Sequence, residues 1–251
     1  MIEIKNLSCT YSKKNEDVIK DISMNFEEGN INIILGKNGA GKSTIIKCLT
    51  SLLNYSQGEI YIDSKNLKEM KLKDKAKLIG YVPQDNESSY LSVFETVLLG
   101  RIPYLSYRYA PSDYQKVEQV LFELGIEHLS SKKVCELSGG EKQKVAIGRT
   151  LVQGSKYIIF DEPTSSLDIS SQINIFKLIK RLVKEKGITP IISMHDLNLS
   201  IEYGDRFFFL KEGELVNCGS KEIITSKLLN DVFDVDVEIK NIEDKQFIVH
   251  K

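Results

Sequence analysis

Apolar and polar residues alternate through the first stretch of the chain, with Ile2 and Ile4 set against Glu3 and Lys5, and Ile22, Met24 and Phe26 against Asp21, Ser23 and Asn25. A period of two puts one set on a buried face and the other in solvent, which predicts half-buried strands, antiparallel to each other. Glu28-Gly29-Asn30 turns the chain into an apolar strand over 31–35, and a helix over 41–53 follows, with Ile45, Ile46, Leu49 and Leu52 spaced for one face. Gly58–Asp63 and Lys77–Gln84 read as short strands joined by Lys-rich connecting sequence. Ser92-Val-Phe-Glu95 and Ser112-Asp-Tyr-Gln115 both have capping-box spacing, the second followed by Val117, Val120, Leu121 and Leu124 before Gly125. Residues 92–136 are therefore predicted to form a small helical lobe inserted into the rest of the chain.

Alternation of longer elements resumes beyond that lobe: helix 140–153, strand 157–160, helix 170–185, strand 188–194, helix 196–203 and strand 206–210. A C-terminal helix and strands over 220–251 are expected to pack on the core. Strands alternating with amphipathic helices imply an α/β fold with a mostly parallel sheet and helices on both faces, joined to the antiparallel N-terminal β-subdomain. Residues 1–251 read as one domain, and 41% hydrophobic residues suffice for its interior.

Charge narrows the field. Lys and Arg number 34 against 35 Asp and Glu, so nothing in the net charge argues for a nucleic-acid or anionic-membrane partner. Cys9, Cys48, Cys135 and Cys218 are far apart, without a CxxC pair or a nearby His at metal spacing, and are expected as small buried hydrophobes of a reduced compartment. No apolar run reaches the roughly 18 residues of a bilayer span and no signal-peptide pattern opens the chain, so a cytoplasmic protein is expected.

The chemistry begins at residues 31–44, where the strand breaks into Gly36-Lys37-Asn38-Gly39-Ala40-Gly41-Lys42-Ser43-Thr44. Glycines here let successive N–H groups turn toward phosphate oxygens. The start of the following helix adds favourable potential for an anion, Lys42 can reach the β- and γ-phosphates, and the Ser43 hydroxyl can ligate Mg²⁺. A second signal is Tyr157-Ile-Ile-Phe-Asp161-Glu162, four apolar residues ending in paired carboxylates. A buried strand delivers these to its carboxyl end, where open α/β sheets bind ligands; Asp161 suits the metal and Glu162 the attacking water. A third is Leu137-Ser138-Gly139-Gly140-Glu141 at a helix start, with N–H groups and a hydroxyl suited to a γ-phosphate.

With these three motifs in this order, the chain resembles the nucleotide-binding subunit of ABC transporters over essentially residues 1–250. The resemblance implies a P-loop NTPase core of the ABC ATPase fold, ATP and Mg²⁺ as cofactors, and ATP hydrolysis coupled to transport. It places Tyr11 where an aromatic stacks on adenine, and Gln84 where a glutamine touches Mg²⁺ and the attacking water. Ser166 and Asp168 fall in a loop that crosses the dimer interface, and His195 where a histidine meets the γ-phosphate. Ser43, Gln84 and Asp161 become the implied metal ligands; Glu162, His195 and Gln84 the catalytic set. Residues 36–44 would hold ATP in one copy while Ser138, Gly139, Gly140 and Glu141 cover it from a second copy. Departures are small: Lys37 stands where many relatives carry Pro, and Lys142-Gln143-Lys144 is a basic continuation of the third motif.

The implied partners are a second copy in the ATP-bound state, integral-membrane permease subunits and, indirectly, an external substrate-binding protein, with no nucleic acid. The implied location is the cytoplasmic face of the membrane, as a peripheral subunit. Residues 85–110, with Tyr90, Phe94, Tyr104, Tyr107 and Tyr109, are a candidate permease surface. The segments 92–104, 194–199 and 228–237 resemble the subgroup that powers import of iron–siderophore, haem and cobalamin complexes. The alternatives are another transporter's ATPase, or a DNA-repair or translation ATPase. Repair ATPases need heptad arms and the ribosomal type a second phosphate loop, and neither feature is in this sequence.

Overall fold

A computed structural model describes residues 1–10, 17–84, 89–243 and 245–250. In chain order the elements are β1 (Ile2–Cys9), β2 (Ile19–Phe26), β3 (Asn32–Gly36), α1 (Lys42–Leu49), β4 (Gln57–Ile62), β5 (Lys65–Asn66), α2 (Leu72–Leu78), β6 (Ile79–Val82), α3 (Val93–Leu98), α4 (Pro111–Glu123) and α5 (Gly139–Gln153). There follow β7 (Tyr157–Asp161), α6 (Ile169–Lys186), β8 (Thr189–Met194), α7 (Leu197–Tyr203), β9 (Arg206–Lys211), β10 (Glu214–Gly219), α8 (Ser226–Phe233), β11 (Val237–Ile242) and β12 (Lys245–His250). They divide into two compact units, one of residues 1–70 with 189–251 and one of residues 71–188.

The first unit holds an antiparallel sheet in the order β2-β1-β4-β5 and the run β10-β9-β3-β8, in which β3 is parallel to both β9 and β8. The alternation read from the sequence sets the first sheet's face: Ile2, Ile4, Ile22, Met24 and Phe26 are buried while Lys5, Asp21, Ser23 and Asn25 are exposed. β3, flanked on both sides, is buried along its whole length, as a central parallel strand must be. Phe26 and Phe208 meet at 4.9 Å between ring centroids, tying the antiparallel layer to the parallel strands. The buried Asn32 amide donates to the carbonyls of Glu27 and Asn30 and accepts from Glu27 N–H, which fixes the turn that feeds β3. An apolar isostere there would leave those groups unpaired inside, at about 1–3 kcal/mol.

The second unit pairs β6 with β7 in parallel and packs α3, α4 and the 99–104 turn on α5. Ser92 and Glu95 form the capping box expected of α3. α4 starts one residue earlier than its expected cap: Pro111 takes the first helical position, and Asp113 Oδ2 accepts the Ala110 N–H at 2.9 Å. Asp113 also receives the buried Arg101 Nε at 2.8 Å, and that bond holds its carboxyl below the usual range. Removing either partner of so buried a pair costs about 3–5 kcal/mol.

Several sequence expectations shift. The Lys-rich connection contains α2, a helix with no buried residue and with Leu72 76% exposed, so no apolar stripe announced it. The strand expected over 77–84 narrows to β6. α1 ends at Leu49 because Thr50 Oγ1 bonds back to the Ile46 and Lys47 carbonyls and Ser51 turns left-handed at φ 58°, leaving Leu52 in solvent. Cys9 and Cys48 are buried as expected, but Cys135 is half-buried and Cys218 exposed on β10. Among the described residues no helix is long and apolar enough to cross a membrane.

Candidate functional site

β3 ends at Gly36, and the chain must then reverse into α1 within a few residues. A side chain at Gly36 would put its Cβ 2.5 Å from the Leu210 carbonyl oxygen, so only glycine lets the strand end approach β9 this closely. Gly41 is the N-cap of α1 at φ 102°, a left-handed conformation, and no side chain caps this helix start. An α-helix beginning without a side-chain acceptor presents N–H groups and a positive dipole end, an arrangement that favours an anion. Lys42 is 5% exposed, and its Nζ donates to the carbonyls of Gly36 at 2.8 Å and Lys37 at 3.1 Å. The ammonium is thus held inside its own loop. Ala40 and Thr44 are buried, Ser43 is half-buried, and Asn38 and Gly39 are exposed.

His195 follows β8 directly, and because Leu35 pairs with Met194 in the parallel ladder, Gly36 and His195 leave adjacent strands at the same level. The imidazole is exposed, and Asp196 beside it caps α7 by accepting Leu199 N–H at 2.9 Å. Lys37 is exposed and its Nζ bonds Asp234 Oδ2 at 2.6 Å, so its charge is met by the residue that ends α8. Lys37, in turn, holds the Asp234 carboxyl below its ordinary range. Asp234 lies in the 228–237 segment noted for its subgroup resemblance, where it had been given no role of its own.

In the second unit Val82 pairs with Phe160, so β6 and β7 end in step. Asp161, the last residue of β7, is 5% exposed. Glu162 adopts φ 46°, unusual for a residue with a side chain, and its Oε2 accepts Gln84 Nε2 at 3.2 Å. Backbone held in this region is typical of functional sites whose surroundings over-determine it. The two strand ends thus bring together the expected glutamine and the expected base.

Ser138 caps α5 in a complete capping box, receiving Glu141 N–H and donating its hydroxyl to Glu141 Oε2 at 2.7 Å. The Ser138 hydroxyl and N–H together hold the Glu141 carboxyl below its usual range. A Cβ on Gly139 would lie 2.9 Å from Leu167 Cδ2 and one on Gly140 3.3 Å from Ser171 Oγ, so the glycines admit the loop of exposed Ser166 and Asp168 against this helix start. Asp168 caps α6 by accepting from Ser171 N–H and Oγ, which lowers its carboxyl pKa. Ser171 was not singled out in the sequence, although its place three residues after Asp168 is the spacing of a cap partner. Tyr11 lies outside the described residues. The aromatic segment is only partly a free surface. Tyr104 donates to the Gln153 carbonyl with its ring 3.8 Å from the Arg101 guanidinium, and Phe94 and Tyr109 pack on Tyr114. Tyr90 and Tyr107 are 82% and 95% exposed.

Comparison with known proteins identifies the family and the fold. The profile of the ABC transporter family matches residues 19–165. An uncharacterized ABC transporter ATP-binding protein of Methanocaldococcus jannaschii is 38% identical over 92% of this chain and 91% of its own. The petrobactin import ATP-binding protein YclP of Bacillus subtilis is 33% identical over 100% and 99%. A phosphonates import ATP-binding protein of Oceanobacillus iheyensis is 32% identical over 93% and 95%. Among solved structures, the inward-facing conformation of an ABC transporter assigned to the metal-chelate type superposes with TM-score 0.85 at 27% identity, over 99% of this chain and 95% of that one. A dimeric ABC transporter cassette superposes with TM-score 0.77 at 30% identity, over 88% and 98%.

Proposed function

The chain belongs to the ABC transporter family and has its ATPase fold, and from that premise we propose that it is the ATP-hydrolysing subunit of a membrane importer for iron–siderophore or related metal-chelate complexes. The observation that carries the ATPase reading is the uncapped, glycine-started α1 with the Lys42 ammonium held inside the loop before it. The loop fits a triphosphate: it carries a cation and the N–H groups of a helix start, and on binding the ammonium exchanges carbonyl oxygens for phosphate oxygens.

In this reading residues 36–44 hold ATP, Tyr11 stacks on the base, and His195 meets the γ-phosphate. Ser43, Gln84 and Asp161 supply the hard oxygen ligands that Mg²⁺ takes, where it would neutralise charge on the β- and γ-phosphates. Glu162, oriented through Gln84 and by its left-handed backbone, positions and deprotonates the attacking water. Ser138, Gly139, Gly140 and Glu141 of a second copy close over the phosphates, with Ser166 and Asp168 at the interface. The dimeric cassette among the structural relatives supports that sandwich. Residues 92–136 form the lobe that faces a permease, and the protein works as a peripheral subunit on the cytoplasmic side.

Metal-chelate import is preferred over phosphonate import because the petrobactin relative matches over 100% of this chain against 93% for the phosphonate relative, and the metal-chelate type structure superposes over 99%. Uptake by a strain lacking this protein tests it. Loss of radiolabelled iron–siderophore uptake with phosphonate uptake intact is expected, and the reverse pattern would overturn the substrate. Absence of Mg²⁺-dependent phosphate release from ATP by the purified protein would overturn the ATPase reading.

A further inference from the structure

β3 and β9 end in step, because Gly36 pairs with Leu210 in their parallel ladder, so the next residues, Lys37 and Lys211, leave adjacent strands at the same level. Both reach the last turn of α8. Lys211 Nζ bonds the Asp231 carbonyl oxygen at 2.6 Å and Asp231 Oδ1 at 2.9 Å, and lies 3.8 Å from Asp234 Oδ1. Lys37 Nζ meets Asp234 Oδ2 at 2.6 Å. Cations at a helix C-terminus are also favoured by its negative dipole end. α8 itself is anchored by Leu228, Leu229 and Val232, all buried. Core packing and the Lys211–Asp231 pair therefore hold this helix end, and the Asp234 carboxylate is turned toward the phosphate loop.

The charge of Asp234 is separable from the shape of that loop. Backbone at residue 37 is fixed without it, since the Lys37 carbonyl accepts from Lys42 Nζ at 3.1 Å and from the Ala40 N–H at 3.1 Å. Asp234 itself takes the left-handed position that ends α8, at φ 51°, with its N–H on the Asn230 carbonyl at 2.9 Å. Glycine is the residue that sits there without strain, so a carboxylate kept at this position points to a use for its charge. That use is not folding: the Lys37 and Asp234 side chains are 46% and 62% exposed, and so open an ion pair adds little stability. Beside a polyphosphate the same charges count for more, because a ligand with several negative charges competes with one carboxylate for the ammonium. We propose that Asp234 is a positioning residue for the nucleotide, holding the Lys37 ammonium away from the phosphates and so setting how tightly the loop grips ATP and how fast it releases ADP. The identity of that ligand rests on the ATPase reading above.

The test is equilibrium titration of the full chain with ATP and with ADP. Asp234→Asn removes the charge, and Asp234→Gly removes it while also relieving the left-handed backbone, so the melting temperature of the glycine variant should equal or exceed that of wild type. Both variants should bind ATP roughly 3- to 10-fold more tightly at an ionic strength of about 0.01 M, with the gap closing toward about 1 M as the charges are screened. Release of a fluorescent ADP, followed by stopped flow, should slow by a similar factor. Lys37→Met should cost more affinity in the Asp234→Asn chain than in wild type, by roughly 3-fold, because only there is the ammonium released to turn to phosphate. Weaker or unchanged binding by stably folded Asp234→Asn and Asp234→Gly chains, or an equal cost of Lys37→Met in both backgrounds, would overturn the proposal. A wild-type chain that binds neither ATP nor ADP would instead overturn the ATPase reading, and the ligand with it.

Discussion

Helices α1 and α5 both start from glycine-rich turns, and they settle their first N–H groups in opposite ways. α1 has a left-handed glycine for its cap and no side-chain acceptor, with a lysine folded into the loop before it. α5 has a serine cap, a reciprocal glutamate and a full capping box. The first arrangement keeps an anion-binding end available within a single chain. The second is already stable alone and offers its surface to something arriving from outside. An arriving phosphate must compete with Glu141 for the Ser138 hydroxyl, whereas at α1 it takes the place of the neutral Gly36 and Lys37 carbonyls on Lys42. Nucleotide capture is therefore expected to belong to α1, and the weaker, reversible closure to α5.

The largest effect that sharpens this contrast is at Glu162. Glu162→Gln keeps the Gln84 contact but removes the base, so phosphate release should fall roughly 10²- to 10⁴-fold with ATP still bound. Held ATP should then let α5 of one copy close on α1 of another, read as a shift to dimer volume in size-exclusion chromatography with ATP and Mg²⁺ but not with ADP. A variant that hydrolyses at the parental rate removes Glu162 from its role. An inactive, ATP-bound monomer would break the pairing of the two helix starts.

Next in size is Lys42→Met, which keeps the buried volume and removes the charge. ATP affinity should drop roughly 10- to 150-fold, the worth of a charged hydrogen bond, in equilibrium titration. Unchanged affinity would show that α1 captures nucleotide without its lysine, and the asymmetry between the helices would lose its main term.

How far the sequence reveals these parts depends on how many residues each part compels. The phosphate loop is readable because its glycines, lysine and hydroxyl all serve one ligand at fixed spacing, and the β7 carboxylates because a buried strand must end where they stand. The burial of Lys42 was not readable, since it depends on how the loop folds back on its own carbonyls. Ser112 had the spacing of a cap, but Pro111 fixes φ one residue earlier and moves the helix start. The close packing on α5 was not readable either, because what permits it is the glycine at 100, remote in sequence, whose bare Cα lets the 99–104 turn close on the helix.

A smaller effect is expected at Ser138. Ser138→Ala removes the cap of α5, at about 1 kcal/mol, and should lower the melting temperature by about 2–4 °C. Affinity for ATP in the monomer should not change, because α1 supplies it. A loss of monomer affinity comparable to that of Lys42→Met would erase the division of labour.

The smallest effect is one of pH. Glu141 is held below its usual pKa by Ser138, so this capping contribution is fully present above the ordinary glutamate value of 4.5 and fades as pH falls through the depressed folded value. In urea titrations the stability gap between wild type and Ser138→Ala should therefore be constant from pH 7 to about 5 and narrow in more acidic solution. A gap that widens on acidification would mean that Glu141 is not the serine's partner.

The position of β3 has a consequence for how the chain is made. Its ladder neighbours are β8 and β9, strands that lie at Thr189–Met194 and Arg206–Lys211, so the nucleotide loop emerges from the ribosome long before anything that can hold it. At ordinary elongation rates that interval is about 10–30 seconds. Residues 71–188, contiguous in sequence, can condense during the wait, and β1, β2, β4 and β5 can pair with one another, while β3 must stay without its ladder partners until the last quarter of the message is read. A ribosome stalled before codon 189 would thus display a chain that carries every letter of its phosphate-binding motif but lacks the strands that give the motif its shape.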